Sequence, residues 1–126
     1  MRCRKPAVAI LSLLLAVAGL APADKRTENI DMFVVLDRSL SMYKHVGGVK
    51  KIDAVKAYTT SELIDGQLIP GDFLEVIGFY GKTEVLVSQL VQTEADRASV
   101  KRIINSLVEN GHYTDIGNAL DTLLME

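Results

Sequence analysis

Apolar and polar positions follow two different periods along this chain. Residues 30–36 are apolar except for Asp31 and rich in β-branched and aromatic side chains, which is typical of a strand buried on both faces. Over residues 50–64 the apolar positions recur at helical spacing, and residues 66–71, which contain Pro70, interrupt the pattern. The predicted face of this helix consists of Ile52, Val55, Thr59 and Leu63.

Residues 73–80 and 83–90 are two further predicted strands. The two-residue connection Gly81-Lys82 between them predicts an antiparallel hairpin. Thr93, with Asp96 three residues later, predicts the start of a helix with a near capping box, and Asn110-Gly111 predicts its end. The apolar face of this helix comprises Val100, Ile103, Ile104, Leu107 and Val108. In the strand predicted from residue 83, Val85, Val87 and Val91 lie on one face.

A last helix is predicted after His112-Tyr113, capped by Thr114 or Asp115. Its apolar face would consist of Ile116, Ala119, Leu120, Leu123 and Leu124. The order of elements is then β-α-β-β-α-α, with residues 44–49 as a loop. Strands interleaved with helices predict an α/β fold, with a mostly parallel sheet and one antiparallel edge strand.

The first 23 residues have the features of a secretory signal peptide. Arg2, Arg4 and Lys5 precede an apolar run, and Ala21-Pro22-Ala23 has the small-x-small pattern of a cleavage site. The alternative is an uncleaved anchor, but the run is shorter than the roughly 20 residues that span a bilayer. We therefore expect a secreted or periplasmic protein, cleaved after Ala23 and then free of the membrane. Residues 24–29 would be a short lead-in, and residues 30–126 the domain.

Charge and cysteine content narrow the classes of function. The full chain has a net charge of −2, and removal of the three basic residues of the leader leaves 11 basic and 16 acidic residues, net −5. A chain without a basic stripe is a poor binder of nucleic acid. Its single cysteine, Cys3, lies in the leader, so the mature domain would depend on its core rather than on disulfides.

The candidate chemistry lies directly after the first strand, in the sequence Asp-Arg-Ser-Leu-Ser-Met of residues 37–42. Ligands of open α/β sheets bind at the carboxyl ends of the strands. Asp37, Ser39 and Ser41 offer hard oxygen ligands at alternating positions, which suit Mg²⁺ or Mn²⁺ better than Zn²⁺. The alternative is an ordinary strand-to-loop turn without a bound ion.

The sequence Asp-x-Ser-x-Ser after a buried strand resembles the metal-binding signature of von Willebrand factor A (VWA) domains. Residues 111–120 are similar to the second metal loop of that family, and Pro70-Gly71-Asp72 is also similar to a family feature. The resemblance implies a Rossmann-like fold and a divalent cation held by Asp37, Ser39, Ser41 and Thr114. It also implies a protein ligand that offers an acidic side chain to the cation.

Several residues near these motifs have two interpretations. Asp115 is either a charge at the start of the last helix or an acid that orients a water or Thr114 without touching the metal itself. His45 and His112 are either solvated loop residues or pH-sensing or ligand-binding groups. Tyr43 and Tyr113 are candidates for the rim of the metal-binding surface.

Two departures from the family pattern produce further expectations. Residue 40 is Leu where the family often has Gly, which would place an apolar side chain on the rim. The family also continues past the third helix with a strand that ends in an Asp, often Thr-Asp-Gly. The sequence ending at Glu126 is therefore expected to be an incomplete VWA domain. In the family that next strand lies beside the first one. Without it, residues 30–36 would form a bare apolar edge, so residues 24–126 expressed alone would self-associate. They would also bind Mg²⁺ weakly, because the acid that the next strand brings is missing.

Two other classes of function use the same residues. In a metal-dependent hydrolase or phosphotransferase, Asp37 or Ser39 would be the nucleophile. No Lys, His or second carboxylate is spaced by motif to act as its general base, so the sequence predicts that the protein is not an enzyme. A scaffold or assembly subunit with a vestigial metal site is the third alternative.

Overall fold

The computed structural model describes residues 26–109 and the backbone of residues 5–11. Within those residues, no helix is both long and apolar enough to cross a membrane. The elements in chain order are β1 (Lys5–Leu11), β2 (Ile30–Asp37), a 3-10 turn (Leu40–Tyr43), β3 (His45–Val46), β4 (Val49–Lys50), α1 (Lys51–Tyr58), a π-helical stretch (Thr59–Asp65), β5 (Asp72–Phe79), β6 (Thr83–Val91) and α2 (Glu94–Ser106).

Four strands form one mixed sheet in the order β1-β2-β5-β6. β2 runs parallel to both β1 and β5, whereas β6 is antiparallel to β5. This arrangement confirms the predicted α/β class, with a mostly parallel sheet and one antiparallel edge strand. The predicted last helix, residues 116–124, lies outside the described residues.

Strand β2 has a hydrogen-bonded neighbour on each side. On the side away from β5, β1 pairs with it in register from Lys5 opposite Ile30 to Leu11 opposite Leu36. The bare edge was expected of residues 24–126, and β1, which pairs with that edge here, belongs to the predicted leader. Cleavage of the leader and self-association of the remaining chain stay predictions.

The hydrophobic core lies between one face of the sheet and the helices. Alternate residues of β2, such as Met32 and Val34, pack there with Leu74 and Val76 of β5. All four residues of the predicted first helical face are buried, as are Val100, Ile104 and Leu107 from α2 and the residue after it. The helical periodicity therefore correctly predicted which sides of both helices face the sheet.

The first helix widens beyond Tyr58 where polar side chains bond back to its own carbonyls. The hydroxyl of Thr59 donates to the carbonyl of Val55 at 2.8 Å, and that of Ser61 donates to Ala57 at 2.7 Å. Such back-bonding competes with the regular helical ladder. At the end of this stretch, the Arg97 guanidinium donates to the carbonyls of Ile64 and Leu68, both at 2.6 Å.

Two predictions about the regular elements were wrong in detail. A bulge between Val76 and Ile77 shifts the pairing with β6, so Val85 is 44% exposed rather than aligned with Val87 in the core. The helix α2 ends at Ser106 and not at Asn110, because Leu107 turns to an extended conformation that buries its side chain. Val108 then lies outside the helix and is exposed.

The capping box of Thr93 and Asp96 is confirmed, with both hydrogen bonds present.

Residues 44–49, predicted as a loop, belong to a small β-hairpin. β3 and β4 pair antiparallel, with Val46 opposite Val49. Gly47 and Gly48 form the turn with φ angles of 60° and 81°, a conformation that glycine adopts without strain and that matches the twist of a two-residue hairpin. Strands of two residues are too short to show a periodicity in the sequence, which is why the pattern did not reveal them.

The amino ends of β2 and β5 are joined by a buried ion pair that was not predicted. Arg26 donates to both carboxylate oxygens of Asp72, at 3.0 and 2.6 Å. Asp72 is fully buried and also accepts from the backbone of Ile30 and Ile69 and from Asn29. Burial would raise the pKa of the Asp72 carboxyl, but the hydrogen bonds from Arg26 and the backbone amides outweigh it and lower the pKa.

Candidate functional site

The motif loop, residues 37–42, begins at the carboxyl end of β2. Asp37 is the last residue of that strand and pairs with Phe79, the last residue of β5. The backbone amide of Arg38 still donates to the carbonyl of Phe79 at 2.8 Å, so the loop leaves the sheet at a fixed point. Because β2 and β5 are parallel, this is the edge at which open α/β sheets bind ligands.

Hydrogen bonds within the motif loop hold its conformation. The Oδ1 atom of Asp37 accepts from the backbone amide of Ser39 at 2.8 Å, and Ser39 in turn accepts from the amide of Met42 at 2.9 Å. The Met42 side chain is buried in the core and anchors the 3-10 turn. Asp37 and Ser39 are buried and Ser41 is exposed, so the polar groups point from a supported base toward the surface.

The hydroxyls of Ser39 and Ser41 lie side by side, with their Oγ atoms 2.9 Å apart. An octahedral magnesium ion with ligands at about 2.0–2.1 Å separates adjacent ligand oxygens by about 2.9 Å. The pair therefore fits two neighbouring positions of such an ion. Across residues 26–109, no three His, Cys, Asp or Glu side chains cluster as a metal site, so any cation here would rely on hydroxyls beside a single described carboxylate.

Arg38, which sequence reasoning passed over, connects the motif loop to two other segments. Its guanidinium donates to the Glu84 carboxylate at 2.9 Å and to the Val108 carbonyl at 3.2 Å, and it lies 5.1 Å from the centre of the Tyr80 ring. Its aliphatic part crosses β5 at Gly78. A glycine inside an apolar strand is a signal of close approach by another chain segment, and it was the one clue in the sequence.

The segment that leads toward Thr114 begins at this same edge. Arg38 holds the carbonyl of Val108, and the ammonium of Lys50 lies 3.7 Å from a carboxylate oxygen of Glu109. Thr114 itself is outside the described residues, as are His112, Tyr113 and Asp115. The position of Thr114 therefore stays a prediction.

Exposed side chains surround the motif loop on the side of the small hairpin. Leu40 is exposed, and its place on the rim of a metal site stays a prediction. Tyr43 is also exposed and packs edge-to-face against His45, with ring centres 6.2 Å apart. The Lys50 ammonium lies 4.3 Å above the centre of the Tyr43 ring, a favourable cation–π contact. Of the residues with two interpretations, Tyr43 and His45 are thus placed on one surface.

Comparison with known proteins agrees with this arrangement of strands and loops. The sequence-family model of the von Willebrand factor type A domain matches residues 32–125, which is more than half of the chain. The chain belongs to this family of domains. Such a domain is in general an interaction or adhesion module, which is the class of protein that the fold and the family define.

Two relatives and two solved structures illustrate the similarity. An uncharacterised protein of Treponema pallidum (strain Nichols) is 36% identical over 101 residues, covering 80% of this chain and 44% of that protein. A Mesorhizobium japonicum protein named heme A synthase is 36% identical over 74 residues, covering 54% of this chain and 20% of that protein.

The solved structures share the fold. A von Willebrand factor type A protein from Catenulispora acidiphila superposes with a TM-score of 0.61 at 28% identity, over 76% of this chain and 22% of that one. An uncharacterised membrane-spanning protein from Vibrio fischeri gives a TM-score of 0.62 at 28% identity, over 75% and 47%. The chain thus spans less than half the length of each of these four proteins.

Proposed function

We propose that this domain binds a protein partner through a divalent cation, Mg²⁺ or Mn²⁺, at the carboxyl edge of its sheet. The ligands would be Asp37, Ser39, Ser41 and Thr114. The observation that carries the proposal is the pair of hydroxyls 2.9 Å apart beside the buried carboxyl of Asp37. This pair lies at the carboxyl end of a central parallel strand, where folds of this class bind ligands.

The chemistry of these ligands favours recruitment of a carboxylate. Hydroxyls are neutral and weak, so Asp37 alone among the described ligands would offset the charge of the cation. A cation that keeps much of its positive charge attracts an acidic side chain to its open positions. An acidic side chain from a protein partner would therefore complete the coordination, and binding would depend on the ion.

Support for Thr114 is indirect and comes from the chain that precedes it. Arg38 donates to the carbonyl of Val108 and Lys50 pairs with Glu109, so the described segment that precedes the second loop contacts residues in and beside the motif loop. The family match extends through residue 125 and includes this second loop. The proposal therefore keeps Thr114 as the fourth ligand.

An enzymatic function is a weaker proposal for the same residues. A serine nucleophile needs a neighbouring base, and the hydroxyl of Ser39 is hydrogen-bonded to another hydroxyl, that of Ser41. We propose a binding module that is not an enzyme. The scaffold with a vestigial site would use the same fold without dependence on a cation, so metal dependence separates the two.

The proposed site of action is outside the cytoplasm, in a secreted or periplasmic location. The support is the leader-like sequence of residues 1–23, with cleavage after Ala23. No nucleic-acid partner is proposed, because the acidic balance of the chain does not favour a polyanion.

Binding of acidic peptides in Mg²⁺ and in EDTA tests the proposal. The probes are fluorescent hexapeptides that each contain one Asp or Glu, measured by anisotropy with the 126-residue chain. We expect binding in Mg²⁺ that EDTA abolishes, and loss of that binding in Asp37→Ala. Asp53→Ala, which removes an exposed carboxyl on α1, is the matched control and should bind normally. Equal binding in Mg²⁺ and EDTA would refute the proposal.

A further inference from the structure

Exposed apolar side chains are concentrated beside the motif loop. Seven large apolar side chains are exposed in the described part of the chain, and four of them lie within residues 40–49. Apolar residues gathered in this way, unlike singly scattered ones, mark interaction surfaces. The four are Leu40 at 45%, Tyr43 at 56%, Val46 at 62% and Val49 at 50% exposure. We call these four side chains the rim patch.

Backbone hydrogen bonds connect the hairpin of the rim patch to the motif loop. The amide of Lys44 donates to the carbonyl of Ser41 at 3.2 Å, and the amide of Lys51 donates to the carbonyl of Lys44 at 2.9 Å. These bonds close the hairpin directly onto the motif loop. The glycine turn then presents Val46 and Val49 as directly opposed neighbours at the tip. A preorganised surface loses little conformational entropy when a partner binds.

Positive charge surrounds the rim patch in a chain that is acidic as a whole. Residues 38–52 contain Arg38, Lys44, Lys50 and Lys51 and no acidic residue. Arg38 and Lys50 form ion pairs with Glu84 and Glu109. Lys44 and Lys51 make no ion pair with any residue in 26–109. The positive charge of this segment would attract an acidic segment of a partner.

We propose that the rim patch selects partner segments in which an apolar residue lies next to the acidic one. The inference rests on the proposed function, since it places the partner's carboxylate on the cation at Ser39 and Ser41. The neighbouring apolar side chain would then pack against Leu40, Val46 and Val49, with Lys44 and Lys51 at the border. A protein segment is favoured over a lipid surface because the hairpin that carries the patch is hydrogen-bonded to the motif loop, where a carboxylate would bind.

The test varies the residue next to the acid. Hexapeptides with one Asp flanked by Leu, Phe, Ser or Lys are titrated with the full chain in Mg²⁺ and in EDTA. We expect Leu and Phe peptides to bind about five- to tenfold more tightly than Ser peptides, as partial burial of one side chain allows. Val46→Ser/Val49→Ser should remove this preference and keep the dependence on Mg²⁺. The control Val85→Ser/Leu90→Ser, on two comparably exposed residues of β6, should keep both.

The outcomes separate this inference from the proposed function. Binding that needs Mg²⁺ but ignores the neighbouring residue would overturn the role of the rim patch and leave the metal-dependent module standing. Absence of any Mg²⁺-dependent binding would overturn both. Sedimentation with vesicles of phosphatidylcholine and phosphatidylglycerol tests whether the rim patch binds a membrane surface instead. Association with vesicles that Val46→Ser/Val49→Ser abolishes would assign the patch to a membrane surface and overturn the protein-segment proposal.

Discussion

Gly78 is the residue on which the position of Arg38 depends most directly. A β-carbon at this position would lie 2.8 Å from Cδ of Arg38 and 3.1 Å from Cδ1 of Leu86. Arg38 is not a loose chain end, because its guanidinium donates hydrogen bonds to Glu84 and Val108. The absence of a side chain at residue 78 therefore allows Arg38 to link the motif loop, β6 and the segment that leads to Thr114.

Gly78→Ala should displace Arg38 and weaken the fold. We expect a loss of about 1–3 kcal/mol in the free energy of unfolding, as in other overpacked cores. Mg²⁺-dependent peptide binding should weaken as well, because the motif loop and the approach to Thr114 lose their common tie. Urea unfolding and peptide titration measure the two effects. Gly66→Ala, where the nearest atom is 3.4 Å away, is the control. Equal stability of the two variants would show that Arg38 is not confined by Gly78.

The sequence predicted that residues close together along the chain would lie near one another, but it did not predict contacts between distant residues. Asp37, Ser39 and Ser41 follow one another after a buried strand, so their convergence could be predicted from spacing alone. Arg38 and Glu84 are 46 positions apart, as are Arg26 and Asp72. Nothing in the local pattern pairs them, because such pairs depend on strand order and register. Thr114 stays a prediction, since it lies outside the described residues.

At the level of elements, the Asp72 carboxylate joins the amino ends of β2 and β5 to the segment before β2. Residues 24–29 were predicted as a mere lead-in, yet Arg26 and Asn29 both bond to Asp72. The ion pair is almost entirely buried, with side-chain exposures of 10% for Arg26 and 0% for Asp72. Removing one member of such a pair leaves the other charge without compensation.

Asp72→Asn should destabilise the domain and change its response to acid. We expect a loss of about 3 kcal/mol at neutral pH, since Arg26 would stay buried without its counter-charge. The folded-state pKa of Asp72 is lowered, so its stabilisation is present above the unfolded value of about 3.9 and is lost as pH falls through the lower folded value. Asp72→Asn should therefore lose less stability between pH 5 and 2 than the wild type does.

Thermal unfolding followed by circular dichroism across that pH range measures this difference. Asp53→Asn is the control, because Asp53 is exposed and only 3.9 Å from Lys56 on the surface of α1. A variant at residue 72 whose stability and acid response match those of the control would rule out the ion pair as a structural tie.

Elements with a long periodic pattern were predicted well, and those shaped by local backbone geometry were not. The first helix shows four buried positions at helical spacing, and all four pack in the core. The bulge opposite Val76 and Ile77 and the β3–β4 hairpin involve too few residues to produce a period. The extended conformation of Leu107 likewise results from its packing, and it ends α2 before the glycine that seemed to mark the stop.

The two ends of the sheet have different roles in the whole chain. The amino end is closed by the Arg26–Asp72 pair, and the carboxyl end carries the motif loop, Arg38 and the rim patch. Along the side, β1 occupies the edge of β2. Self-association after loss of residues 1–23 would follow from exposing that apolar edge. In the proposed function, the amino end contributes stability and the carboxyl end binds the partner.

Titration with Mn²⁺, followed by the loss of the free-ion signal in electron paramagnetic resonance, tests the proposed metal site most directly. The full chain should bind one Mn²⁺ that Mg²⁺ displaces. Asp37→Ala should lose this ion, and Asp53→Ala should retain it. The affinity is expected to be weak, because hydroxyls supply most of the ligands. If Asp37→Ala binds Mn²⁺ with the same stoichiometry and affinity as the wild type, the motif loop is not a metal site.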